Sequence, residues 1–198
     1  MAVDEDKRAT LRRFAAIGAA SPLAAVSDQE DEDSDVREAI QGYLSTTPGA
    51  HFSKLRDDLK LGTGETQYHL RRLSEADVVE VTRDGDYKRF FPAARFDDVE
   101  KVALGYLRRE TPRKMLIALL REPDLTGSEL ATRVGVSQAS VSNYASELED
   151  AGILERSDGF EIQRPETIVT LVLRYATSFG EEAVEFAADA ASLLRYEP

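Results

Sequence analysis

The chain has 198 residues and a net charge of −12, from 37 acidic against 25 basic side chains, and it contains no cysteine. Disulfide scaffolds, thiolate metal sites and cysteine nucleophiles are therefore excluded, and 198 residues leave room for one medium domain or two small ones held by packing alone. The acidity runs against the basic footprint of a nucleic-acid binder, and no apolar run reaches the ~18 residues of a membrane span, so no membrane partner is expected.

Residues 1–35 stand apart. They open with Lys7, Arg8, Arg12 and Arg13, continue through a small apolar stretch from Phe14 to Val26, and end in the acidic run from Ser27 to Asp35. That run is too charged to fold alone and reads as a linker. The arginine pair before an alanine-rich segment is similar to a twin-arginine export signal, with Ala25, Val26 and Ser27 as the cleavage site, but Phe14 follows the pair directly where the export motif has one residue between. A short N-terminal helix is the favoured reading.

From residue 36 the chain repeats itself. A shift of 75 residues aligns Val36–Val81 with Thr111–Arg156 without a gap, and the seven identities, among them Leu44 with Leu119, Pro48 with Pro123 and Leu73 with Leu148, fall where a packed unit needs them. Each copy reads as three helices and a hairpin. Val36, Ile40 and Leu44, or Met115, Leu116 and Leu119, line the first helix, which Pro48 or Pro123 ends. The second helix buries Leu55 and Leu59, or Leu130 and Val134, and in the second copy Thr126 and Glu129 form a capping box. The third runs from about Gly64 to Ala76 and from about Gln138 to Ala151, with Thr66, Leu70 and Leu73, or Val141, Ala145 and Leu148, inside. The alternating runs on either side of Asp84, Gly85 and Asp86 predict a hairpin, shortened in the second copy around Gly159.

Helix, helix, helix, hairpin at this spacing resembles a winged helix-turn-helix. The stretches Leu130–Ser142 and Thr66–Leu73 are similar to those of archaeal transcriptional regulators carrying two such modules in tandem, and a basic complement of 19 Arg and 6 Lys in an acidic chain resembles the proteins of salt-loving archaea. The expected fold is mainly α with small β-hairpin wings: an N-terminal segment and acidic linker (1–35), a first winged helix-turn-helix (36–95), a connecting helix and second module (96–164), and C-terminal helices (165–198). The resemblance implies sequence-specific duplex DNA binding in the cytoplasm. The competing reading is a protein-interaction module bridging a chromosome or transcription complex.

If Thr66, Leu70 and Leu73 face inward, Gln67, Tyr68, Arg71 and Arg72 turn outward. Those side chains suit a groove: arginine pairs with guanine, glutamine with adenine, and tyrosine reaches phosphate. Lys54 on the preceding helix and Arg83, Lys88 and Arg89 on the wing extend the basic surface. Residues 36–95 hold ten basic and nine acidic side chains, net +1, whereas residues 1–35, 96–156 and 157–198 carry −5, −3 and −5. The reversal of charge that DNA requires is thus confined to the first module. In the second the outward set is Gln138, Ser140, Ser142 and Asn143, which suits either uncharged DNA contacts or a plain polar surface.

Pro165 starts a tail helix whose Ile168, Leu171, Val172, Tyr175 and Phe179 need a partner surface. They are expected either to form a homodimer interface or to cap the second module. His51 and His69 do not have metal-ligand spacing, no glycine-rich phosphate loop follows a strand, and no serine sits on a nucleophile elbow. Neither enzymatic activity nor a metal or other cofactor is expected.

Overall fold

The computed structural model describes residues 2–19 and 32–193, with side chains over 5–17 and 34–190. The chain divides into two compact units, 1–101 and 102–198.

In the first unit, helix α1 (Ala2–Ala19) packs on α2 (Glu32–Thr46), followed by strand β1 (Ala50–His51), α3 (Phe52–Asp58), α4 (Thr63–Glu75), β2 (Val79–Asp84) and β3 (Tyr87–Pro92). The core joins Leu11 of α1 to Val36, Ile40, Tyr43 and Leu44 of α2, Leu55 and Leu59 around α3, Leu70 and Leu73 of α4, and Val79 and Phe90 of the sheet. Phe14 meets Tyr43 edge to face at 5.3 Å, and the Tyr43 hydroxyl donates to Asp58 Oδ2 at 2.8 Å. The N-terminal segment therefore forms the expected helix. The acidic run is not wholly a linker, because α2 begins at Glu32, and Val36, buried in the core, anchors the helix. The cleavage-like Ala25–Ser27 lies outside the described residues.

The three strands are antiparallel in the order β1-β3-β2. β1, which the periodicity does not announce in so short a segment, pairs Ala50 with Phe90. The hairpin register sets Val81 opposite Phe90, Thr82 opposite Arg89, and Arg83 opposite Lys88.

Helix α5 (Asp98–Leu107) leads into the second unit, which contains α6 (Glu110–Arg121), α7 (Gly127–Val134), α8 (Gln138–Asp150), the short strands β4 (Leu154–Glu155) and β5 (Glu161–Ile162), α9 (Pro165–Phe179) and α10 (Glu181–Leu193). Met115, Leu116, Leu130, Val141, Ala145 and Leu148 are buried together with Ile153 and Leu154. The repeat is visible in the backbone. α4 and α8 begin and end 75 residues apart, and α3 and α7 start 75 residues apart behind N-caps His51 and Thr126. The capping box is formed: Glu129 N–H donates to Thr126 Oγ1 at 3.4 Å, and Thr126 N–H donates to Glu129 Oε2 at 2.8 Å.

The tail helices are part of this unit. Ile168, Leu171, Val172, Tyr175 and Phe179 are all buried. The Arg108 guanidinium lies 4.4 Å over the Phe179 ring and donates to Ser178 O, and Arg121 ties α6 to Asp189 of α10 at 2.7 Å. The expectation that those five side chains offer a dimer surface is corrected: the apolar face of α9 is consumed within its own chain.

Candidate nucleic-acid interface

Gly62 precedes α4 in extended backbone, its N–H donating to Glu65 Oε2 at 3.1 Å, while Thr66 Oγ1 donates to Gly62 O at 2.8 Å. The first of these bonds satisfies one of the open amides at the helix start. From there the helical period does the sorting: Thr66, His69, Leu70 and Leu73 are buried, and Gln67, Tyr68, Arg71 and Arg72 are exposed, as the alternating face requires. The Tyr68 ring rests edge-on against His69 at 5.0 Å, and the side chain is 39% exposed. Arg71 Nε is 3.8 Å from Glu75 with both side chains about two-thirds exposed, too loose to hold the guanidinium.

The wing completes the surface by its period of two. Val81, Arg83, Lys88 and Phe90 share the face turned toward α4, because directly opposed residues of an antiparallel pair point the same way. Phe52, Leu70, Val81 and Phe90 floor a cleft between α4 and the wing, with Gln67, Arg71 and Lys88 among its lining residues. Arg83 and Lys88 stand directly opposite each other and both are exposed. Such a like-charge pair is unfavourable in the free protein.

Arg89 is corrected. It is 3% exposed, because its place on β3 puts it on the reverse face from Lys88. There its Nε pairs with Asp84 and its Nη1 donates to the Gly49 carbonyl at 3.0 Å, so it fixes the wing rather than meeting a ligand. Lys54 is half exposed and bonded to Asp58 at 2.7 Å. Sequence reasoning passed over Tyr87, 54% exposed at the wing, whose ring lies 5.5 Å from that of His51; a single aromatic beside a turn carries no periodic signal.

The corresponding surface of the second unit differs in chemistry. Gln138, Ser142 and Asn143 are exposed, whereas Ser140 is half-buried, with its N–H donating to the N-cap Ser137 Oγ at 3.1 Å. The second wing sets Glu155 against Glu161, but Glu155 stands 75 residues from Glu80, so this acidic pair lies on the reverse face from the one that bears Arg83 and Lys88 in the first wing. The second wing's one basic residue, Arg156, is bonded to Glu149 at 2.7 Å.

Residues 34–104 match a family described as an N-terminal HTH domain, and residues 108–155 match one described as winged helix-turn-helix DNA-binding. The chain is also similar to an uncharacterized HTH-type transcriptional regulator of Methanocaldococcus jannaschii, 26% identical over 124 residues, which are 63% of this chain and 31% of that protein. The aligned part thus spans about a third of the relative's length. With a helix-turn-helix and a hairpin wing in each half, the chain is a tandem winged helix-turn-helix protein.

Proposed function

We propose that the protein is a transcriptional regulator that binds duplex DNA through its first unit, with α4 in the major groove and the wing on the adjoining backbone. The observation that carries this reading is the Arg83–Lys88 pair. Two cations opposed on the face that turns toward Gln67 and Arg71 lower the stability of the hairpin, and a phosphate between them reverses the sign of that interaction. Arg71 and Arg72 supply bidentate donors for guanine, Gln67 for adenine, and Tyr68 a hydroxyl for the backbone. Sequence specificity and a homodimer belong to the same proposal: one recognition helix reads few base pairs, and helix-turn-helix proteins commonly double the reading heads over two half-sites. The cytoplasm is the compartment that such a partner implies.

A second reading applies to the second unit alone. Its helix α8 carries no cation for phosphate, so Gln138, Ser140, Ser142 and Asn143 serve better as a polar contact for a protein than as DNA ligands.

Duplexes selected from a random pool by the wild-type protein, then labelled and titrated by fluorescence anisotropy in 1 M potassium chloride, test the proposal. Arg71→Ala/Arg72→Ala is expected to lose most of the affinity and Gln138→Ala/Asn143→Ala almost none. Failure of the wild type to select any duplex overturns DNA binding. Equal affinity of the Arg71→Ala/Arg72→Ala protein overturns the assignment of α4.

A further inference from the structure

Helix α1 is not needed to complete three helices and a wing, yet Leu11 is buried in the core of the first unit. Its Lys7 Nζ donates to both oxygens of Glu65, at 2.9 and 3.0 Å, and Asp6 pairs with Lys60 in the turn before α4. Burial pushes the Glu65 carboxyl up, but the bonds from Lys7 and the Gly62 N–H more than offset it, leaving it below the ordinary carboxylate range. These contacts set the start of α1 beside the start of α4, while Leu11 holds the helix on the core.

Which side of α4 it occupies is set by helical geometry. Gln67, Leu70, Arg71 and Ser74 line the cleft with the wing. At 100° per residue Glu65 lies on the opposite flank, and Arg72, seven residues on, stands almost directly above Glu65. α4 is therefore bracketed by the wing on one flank and by α1 on the other, the flank that bears Arg72.

On α1 the residues nearest that flank are basic. Lys7, Arg8 and Arg12 line a cleft of about 350 Å³ with Asp35, Val36 and Glu65. Lys7 is bonded to Glu65; Arg8, which has an interaction of its own within the chain, and Arg12, one turn on, both keep exposed side chains. The adjacent Arg13 is directed elsewhere, its guanidinium 5.8 Å from the Phe14 ring. The arginine pair that is similar to an export motif is thus divided by the helix: Arg12 faces the recognition flank and Arg13 does not.

We propose that α1 forms the second flank of the nucleic-acid interface, with Arg8 and Arg12 holding the phosphate backbone beside Arg72 while Arg83 and Lys88 hold it on the wing side. The inference rests on the duplex-binding reading of α4. It makes the N-terminal helix a positioning clamp that carries affinity and no base preference, because phosphates are alike at every sequence.

The test uses the full chain, the selected duplex and an unrelated duplex of equal length, with anisotropy followed from 0.3 to 1.5 M potassium chloride. Arg8→Ala/Arg12→Ala is expected to weaken binding to both duplexes by about tenfold and to lower the slope of log affinity against log salt by about 1 to 2. Arg12→Lys restores most of the loss contributed by Arg12, since it keeps the charge, and Arg13→Ala is without effect. If Arg8→Ala/Arg12→Ala binds both duplexes as the wild type does while Arg71→Ala/Arg72→Ala fails, the clamp is wrong and the α4 reading stands. If Arg71→Ala/Arg72→Ala binds unchanged and Arg8→Ala/Arg12→Ala does not, the α4 reading falls and α1 is retained as a phosphate contact. A thermal midpoint equal to that of the wild type, expected for exposed side chains, shows that the loss is one of contact and not of folding.

Discussion

Lys60 and Gly135 occupy the same point in the two copies of the repeat, the turn between second and third helices, and both hold left-handed backbone, with φ of 56° and 77°. Asp77 and Gly152 repeat the relationship after the third helix, at 53° and 68°. The first unit thus bears strain that the second relieves with glycine. A side chain in this region costs about 1–2 kcal/mol, against the ~0.5–1 kcal/mol of chain entropy that glycine loses. Lys60→Gly is expected to stabilise the first unit by about 0.5 kcal/mol, since the exposed pair it gives up with Asp6 is worth little. Gly135→Ala is expected to destabilise the second unit by about 1 kcal/mol. Urea titrations of the two variants give the signs.

Much of this was legible in the sequence because it is periodic. Leu70 and Leu73, or Ala145 and Leu148, recur at helical spacing and fixed the inner faces of α4 and α8; Thr126 and Glu129 marked a helix start. What escaped was set by partners distant in sequence. Arg89 reads as a surface cation until strand pairing reverses its side and Gly49, forty residues away, supplies an acceptor. Phe179 reads as an interface residue until Arg108 covers its ring. The place of Arg12 depends on Lys7 meeting Glu65, a contact between residues 58 apart that no local pattern encodes.

Acid is expected to loosen α3. Its N-cap is His51, whose Nδ1 accepts the Lys54 N–H at 3.2 Å and is able to do so only when that nitrogen is unprotonated. Burial, then the charges of Arg89 and Lys54, hold the His51 pKa below its ordinary value. The unfolded chain therefore binds the proton more readily than the folded one. The contribution is fully present above the ordinary histidine range and is lost as pH falls from there through the lower folded-state pKa. Unfolding free energies measured between pH 5 and 7.5 should rise with pH in the wild type, and less steeply in His51→Asn, which keeps a capping oxygen that does not titrate.

Arg89 makes the wing rigid, and its removal is expected to act on stability before function. Arg89→Met keeps the length of the side chain but takes away the guanidinium shared by Asp84 and the Gly49 carbonyl. Breaking a buried pair from one side costs about 3–5 kcal/mol. Asp84 retains some exposure, its side chain being 18% accessible, so about 2 kcal/mol is expected here. Chemical denaturation of the variant followed by Tyr fluorescence gives the value, and a loss under 0.5 kcal/mol would return Arg89 to the solvent-facing set.

Lys88→Glu separates folding from binding most sharply. In the free protein it turns the Arg83–Lys88 repulsion into an attraction across the hairpin, a gain of about 0.5 kcal/mol on the scale of exposed cross-strand pairs. On DNA it sets a carboxylate where a phosphate is to lie and removes one of the two cations meant to hold it, so affinity for the selected duplex should fall by more than tenfold. A variant that is more stable and binds worse is the signature of a site kept at a cost to the fold. One that is more stable and binds equally well shows that the opposed cations serve no phosphate, and the carrying observation for DNA binding is lost with them.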